Sequence, residues 1–366
     1  MSALTVEVVQ VDQVTPHPNA DRLEIATVKG WQCVVGKGEF QAGDKGFYFP
    51  IDSVLPQAVR DYLFADTKVT PPTRIKTMAI RGAVSQGLLV SRCLDPKDAY
   101  KWEHVASLWE VGEDFTEAFG VTKYEPPRQD LPTGMRTAPA RVAHPDFPRF
   151  TDVENWRNYP TLFQPDDWVL VTEKIHGTNF RCGWVPYDAN TLWKRLMKFF
   201  RLTPLYEFVF GSRNVQLDEA GVRTVYHEIV EKYDLRNRLV DGEVLYGEIY
   251  GDGIQKGYSY GCAPGERRLA AVDMTRQGEW LHGLELRSTL ERREIPMVPV
   301  LYWGQYSGVA IGLALGASSL DPSGTPIKEG VVIRSIDGNE RYPLLGRKIL
   351  KLISNDYLLR DQSDWH

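Results

Sequence analysis

The sequence predicts an α+β protein: an N-terminal OB-type β-barrel, followed by a larger domain of antiparallel sheets with peripheral helices. Three observations carry this. Residues 1 to 125 hold short runs rich in Val, Ile and aromatics, broken by Gly, Pro and Asp. Residues 126 to 160 contain seven prolines and little periodicity, which marks an extended connector. Beyond them, strand-like and helix-like segments mix without a regular β-α-β order and without G-x-G-x-x-G after a strand, which disfavours a Rossmann domain. A chain of 366 residues is long enough for two such domains, each with its own core.

In the first region TVEVVQVDQV, RLEIATVKG, WQCVVGKG, GDKGFYFPI and VSQGLLVS read as strands, with AVRDYLF a short helix between them. Close spacing with glycine at the corners favours a small closed barrel over a small sandwich. From residue 161 to 366, WVLVTEKI, TNFRCGWV, EVLYGEIYG, RRLAAVDM and GVVIRSI read as strands. TLWKRLMKFF, TVYHEIVEKYDLRNRL and HGLELRSTLERREI read as helices. GVAIGLALGA is about half a membrane span and reads as a buried helix.

Composition narrows the function classes. With 43% apolar and 25% charged positions, the chain is neither fibrous nor disordered throughout. Lys and Arg number 43 against 48 Asp and Glu, a net charge of -5, so no surplus of positive charge announces a nucleic-acid binder. A sum over the chain leaves open whether one face is basic. Cys33, Cys93, Cys182 and Cys262 form no C-x-x-C pair and the seven histidines are scattered, so neither a disulfide framework nor a zinc site is indicated. A reducing cytoplasm fits, and the first residues lack the pattern of a signal peptide.

The densest group of reactive side chains is Glu173-Lys174-Ile175-His176-Gly177-Thr178-Asn179, at the end of the apolar run WVLV. A lysine there is costly to bury unless paired, and the same cost favours the neutral amine that acts as a nucleophile. A solvated hairpin would also produce this heptapeptide. KIHG is the K-x-x-G nucleotidyl-transfer motif. It is followed in order by GSRN (residues 211–214), LYGEIYG (245–251), AVD (271–273), EGVVIR (329–334) and RKILKL (347–352).

This ordered set, over roughly residues 165 to 355, resembles the covalent nucleotidyltransferase superfamily, and EKIHGTN resembles its RNA ligases. The resemblance implies an adenylyltransferase domain with ATP and Mg²⁺ or Mn²⁺ as cofactors. Lys174 would attack the α-phosphate of ATP, and the AMP would pass to a 5'-phosphate end that a 3'-hydroxyl then attacks. Glu248 would contact ribose or metal-bound water, and Glu329 a divalent metal. Asn179 would lie beside the phosphate and its metal, and Arg213 would clamp a phosphate or the 3'-terminal nucleotide. Glu173 would help seat the nucleotide with Ile175, His176 and Gly177 of the motif, and Lys351 would meet the α-phosphate. Charge neutralisation and in-line placement are what phosphoryl transfer requires of these residue types.

Two departures stand out. The last motif has Ile349 where a lysine is expected, leaving Lys348 as either a displaced partner of Lys351 or a surface lysine. RRLAAVDM lacks the aromatic that commonly stacks on adenine. In the barrel, PHPNADRL (residues 16–23) resembles a tRNA-binding OB module, or is a structural turn capped by Asn19 and Asp21. An N-terminal OB domain before this core resembles the Deinococcus-type RNA ligases, which implies a nicked duplex RNA or RNA–DNA hybrid as partner. A monomer is expected. Lys29, Trp31, Lys37, Arg74, Lys76 and Arg81 are candidate nucleic-acid contacts. Lys194, Arg195, Lys198 and Arg201 cluster at helical spacing. The rival readings are a capping-type guanylyltransferase using GTP, and a nucleic-acid-binding protein with a degenerate core.

Overall fold

The computed structural model describes residues 4–65, 70–94, 97, 101–103, 108–124, 144–187, 196, 199–200, 204–308, 312–321, 323–343 and 345–359. Lys194, Arg195, Lys198 and Arg201 lie outside the described residues. The chain divides into two units, residues 1–128 with 156–160 and 355–366, and residues 129–155 with 161–354.

The first unit is built from short strands: β1 (Glu7–Gln10), β2 (Gln13–Pro16), β3 (Leu23–Val28), β4 (Trp31–Gly36), β5 (Lys45–Phe49), β6 (Ser53–Val54), β7 (Thr77–Ile80), β8 (Ala83–Gln86), β9 (Leu88–Val90), β10 (Arg92–Leu94), β11 (Lys101–Glu103) and β12 (Thr122–Lys123). One sheet has the order β2-β3-β4, another β1-β5-β9, and β7 pairs with β8 as a hairpin. Strand alternation decides what faces inward. In β4, Trp31, Cys33 and Val35 are buried while Gln32 is exposed. Phe47, Phe49, Phe115 and Phe119 form a second buried cluster, with Phe47 edge-on to Phe119 at 5.1 Å.

The second unit contains two five-stranded sheets. One has the order β16 (Tyr206–Gly211), β15 (Thr178–Pro186), β17 (Glu243–Gly251), β18 (Arg267–Arg276), β19 (Glu279–Trp280). The other has the order β13 (Glu154–Asn155), β24 (Ile349–Ile353), β21 (Gly330–Ser335), β14 (Trp168–Lys174), β20 (Val300–Gln305). A small pair, β22 (Arg341–Tyr342) and β23 (Gly346–Arg347), precedes β24. Pairing is antiparallel except between β13 and β24.

Both faces of the first sheet are covered. Helices Val225–Lys232 and Gly283–Arg292 bury Ile229, Leu286 and Leu290 against Phe180, Leu245 and Ile249. Phe147, Val185, Val209, Val244 and Tyr246 pack on the opposite face. The continuous apolar run of β17 follows from this, since a strand buried on both sides has no polar alternation.

Buried charge links the two sheets. Asp273 of β18 lies 2.6 Å from Arg334 of β21 and 2.8 Å from Arg347 of β23, all three side chains nearly inaccessible. The Arg347 guanidinium also lies 3.8 Å from the centre of the Trp280 ring. Burial alone would raise the Asp273 carboxyl, but the two guanidinium groups hold it below the usual aspartate range.

Three expectations change. Proline content assigned residues 126–160 to a connector, yet Phe147 is core, β13 belongs to a sheet, and Trp156–Pro160 group with the first unit. The helix Asn355–Leu358 also groups with the first unit, where Asn355 accepts from Arg157 at 2.9 Å. Of GVAIGLALGA, the described part from Gly312 runs into turns, and Leu315 is 56% exposed. Among the described residues no helix is long and apolar enough to cross a membrane.

Candidate active site

The chain leaves one sheet and enters the other within three residues, Ile175 to Gly177, between β14 and β15. This crossing places Lys174, last in β14, next to Asn179, second in β15. In register, Asn179 faces Glu248 of β17, and Lys174 faces Gly330, which follows Glu329. Val332 of β21 pairs with Thr172 on one side and Lys351 of β24 on the other. Five residues scattered over 178 positions of sequence are thereby gathered at one seam. Gly177 is required at the crossing, because an added Cβ would lie 2.2 Å from the Ile249 carbonyl oxygen.

Lys174 Nζ lies 2.6 Å from Glu329 Oε1. Burial would lower the lysine, but Glu329 and Glu248 together raise it above its ordinary value, so the paired ammonium is charged. Burial raises Glu248 to about 7 against the pull of Lys174 and of Asn179, whose Nδ2 donates to Glu248 Oε2 at 2.8 Å. Burial raises Glu329 too, against the attraction of Lys174 and Lys351. Lys351 makes no ion pair among the described residues. Burial and repulsion from Lys174 lower it, while Glu154 and Glu329 pull the other way.

Glu329 Oε2 is buried with no hydrogen-bond donor among the described residues, and His176 Nδ1 stands 3.8 Å away. A buried, unsatisfied carboxylate oxygen calls for a cation or a donor. Among the described residues no three His, Cys, Asp or Glu side chains converge as a protein-only metal cage. Two carboxylates and an amide suit Mg²⁺ or Mn²⁺, hard ions that complete their shells with water and phosphate oxygens.

The remaining motif residues take supporting positions. His176 is held by its backbone N–H, which donates to Tyr260 Oη at 2.8 Å, and by an edge-on contact with Tyr258. Ile175 is core. Glu173 points to the opposite face of β14 from Lys174 and accepts from Ser318 Oγ at 2.5 Å and Ser319 N at 2.8 Å. A nucleotide contact from this carboxylate would have to replace one of those bonds. Arg213 pairs with Asp152, and buried Arg181 holds the preceding turn by donating from Nε to the Ser212 carbonyl at 3.0 Å.

Lys348 does not join the site. Its Nζ donates to Asp167 at 2.8 Å and Glu340 at 3.0 Å, so it is a saturated structural cation before β24. Sequence reading missed Asp152 and Glu154, which lay inside the supposed connector. The pairing of Glu154–Asn155 with Leu350–Lys351 brings that segment beside the site.

The barrel candidates also separate. Trp31 is buried and donates to Asn158 Oδ1 at 3.1 Å, so it offers no open face for a base. Arg74 makes two bonds to Asp52, at 3.0 and 2.6 Å, and stacks on Tyr124. Lys29 lies 2.5 Å from Glu7. Lys37, Lys76 and Arg81 are exposed and make no ion pair among the described residues.

Comparison with known proteins agrees with this arrangement. An OB-fold domain family matches residues 5–92, and the RNA ligase family matches residues 167–353, just over half of the chain. No curated protein matches the sequence significantly. Solved structures of a Naegleria gruberi RNA ligase share the fold. A lysine-to-methionine variant with AMP and Mn is 24% identical with a TM-score of 0.69, over 97% of this chain and 98% of that one. A form with PPi is 24% identical with a TM-score of 0.68, over 98% of each chain. A glutamate-to-alanine variant with ATP and Mn is 23% identical with a TM-score of 0.69, over 97% and 98%. The motif order, the two-sheet fold and the match across its second unit converge: this chain belongs to the RNA ligase family.

Proposed function

We propose that the protein is an ATP-dependent RNA ligase that forms a lysyl-AMP intermediate at Lys174 and seals nicks in duplexes with RNA on the 3'-hydroxyl side. The observation that carries this reading is the pairing of Lys174 with a buried carboxylate that keeps one oxygen unsatisfied, with Lys351 unpaired alongside. The AMP, ATP and Mn held by the Naegleria gruberi RNA ligase structures support the choice of nucleotide and metal.

In the first step the neutral Lys174 amine attacks the α-phosphorus of ATP. The N–P bond forms, the bond to pyrophosphate breaks, and the amine loses a proton. A 5'-phosphate oxygen of the nicked strand then displaces the lysine, and a 3'-hydroxyl oxygen finally displaces AMP. Lys174 as it stands is charged and paired with Glu329, so it must first give up a proton, to that carboxylate or to water, before its lone pair can attack. Glu329, Glu248 and Asn179 would hold a divalent ion, whose contribution would be to neutralise phosphate charge. Lys351 makes no ion pair among the described residues and is free to meet the phosphate, with burial and repulsion from Lys174 lowering its pKa. Arg213 gives up Asp152 to bind substrate phosphate, a small loss for an exposed pair.

Incubation with labelled ATP and Mg²⁺ or Mn²⁺ is expected to leave a covalent protein–AMP adduct. No adduct with either metal would defeat the reading, and label taken from GTP alone would favour a guanylyltransferase. The two lysines of the last motif give a sharper check. Lys351→Ala is expected to slow adduct formation by about 10²–10³-fold, the usual effect of removing one preorganised charge donor. Lys348→Ala is expected to leave the rate within about threefold of the original, because its partners are Asp167 and Glu340.

A further inference from the structure

We infer that the end of the barrel carrying Arg22, Lys37 and Arg81 holds the phosphate backbone of the polynucleotide substrate, and that His17 and Asn19 are positioning residues that set Arg81 there. This rests on the RNA ligase reading for the identity of the substrate. The motif HPNADRL is spent on the barrel rather than on a ligand. His17 is buried, and its two ring nitrogens are both engaged. Nδ1 accepts from Asn19 N at 3.0 Å, so Nε2 carries the proton and donates to the Ile80 carbonyl at 2.9 Å. Asn19 Nδ2 donates to the Arg81 carbonyl at 3.0 Å. The motif is therefore a latch on the turn of the β7–β8 hairpin.

That turn is unusual in composition. Arg81 and Gly82 both have positive φ, 48° and 86°, where a two-residue hairpin favours Asn-Gly or Asp-Gly. An arginine in this conformation is held by its surroundings, here by the latch, and strain of this kind points to a use for the side chain.

The neighbouring turns bring further cations to the same end. Leu23 pairs with Gly36, and the Lys37 N–H donates to the Arg22 carbonyl at 3.0 Å. Val34 N bonds Ser85 Oγ at 3.0 Å, which runs β8 beside β4 and brings its hairpin turn towards Lys37. Arg22, Lys37 and Arg81 are exposed, come from three separate turns, and make no ion pair among the described residues. The carboxylates of these turns are Asp21, exposed next to Arg22, Glu24, which accepts from Gly38 N at 2.9 Å, and Glu39, which accepts from Gly36 N at 3.0 Å. Three unpaired cations on rigid turns suit a row of phosphates, which bind through displaced counterions. Such a local surface also removes the objection raised by the net charge of -5.

The test is binding of a fluorescent nicked duplex, with an RNA 3'-hydroxyl strand, to the full chain at several salt concentrations. Replacing Arg22, Lys37 and Arg81 together by Ala is expected to weaken binding at least about tenfold and to lower the salt slope by roughly 2–3, while adduct formation with ATP is unchanged. Asn19→Ala is expected to weaken binding about as much as Arg81→Ala and to add little to it, a coupling that general destabilisation would not produce. Unchanged affinity and slope in the triple variant, with the original protein binding, would overturn the inference and leave the ligase reading intact. Loss of binding by Arg81→Ala but not by Asn19→Ala would overturn the positioning role. Failure of the original protein to form an adduct would count against the ligase reading instead.

Discussion

Lys174→Ala is expected to form no protein–AMP adduct at any metal concentration, the largest effect anticipated for a single substitution. Alanine supplies no nucleophile, and no second lysine can replace it: Lys351 lies on another strand and Lys348 is held by two carboxylates. Lys174→Arg separates charge from nucleophilicity. It keeps a cation beside Glu329, yet a guanidinium stays protonated and does not attack phosphorus, so it too is expected to give no adduct. Both variants are expected to seal a nick supplied already adenylylated at its 5' end, because the covalent work of the lysine is then complete. Electrophoresis of labelled protein checks the first outcome, and sealing of a pre-adenylylated strand the second. Adduct formation by Lys174→Ala would move the nucleophile elsewhere.

Asp273→Asn is expected to cost the second unit about 3–5 kcal/mol, or roughly 10 °C in melting temperature, because it leaves two buried guanidinium groups without their shared anion. The geometry makes the anion hard to replace: Arg334 is in charge contact with Asp273 but outside hydrogen-bond alignment, so it depends on the full charge. Activity is expected to fall with stability, since Arg334 lies in the strand that Glu329 immediately precedes, and Asp273 ties that strand to the sheet of Glu248. Asp273 has a lowered pKa in the folded protein, so its contribution is complete above the ordinary aspartate range. It is lost as pH falls through the depressed folded value. Thermal melts from pH 7 down to acid are expected to converge for the original and Asp273→Asn proteins. A constant gap between them would show that the carboxylate charge is not what matters.

Much of this architecture was legible before any coordinates. The order of short motifs drew attention to Lys174, Asn179, Glu248, Glu329 and Lys351, because each lies in or beside a strand whose apolar run announces it. Period-two alternation in WQCVVG likewise carried the information that Trp31 faces inward with Cys33 and Val35. What sequence could not supply were partners set by tertiary packing. Lys348 is taken by Asp167, 181 residues away, and Arg74 by Asp52. Glu173 serves a loop 145 residues on. Prolines hid β13, since a two-residue strand shows no periodicity.

The parallel pairing of Asn155 with Lys351 also bears on the order in which the molecule is made. The strand next to Trp156 waits for one nearly two hundred residues later, and Arg157 of the first unit waits likewise for Asn355. During synthesis from the N-terminus, these two contacts therefore form only after Lys351 and Asn355 have emerged. Closure depends on contacts of long sequence separation, which are slow to form. Of the five residues gathered at the seam, Lys351 emerges after the other four, so a growing chain holds Lys174 long before the strand that sets Lys351 beside it.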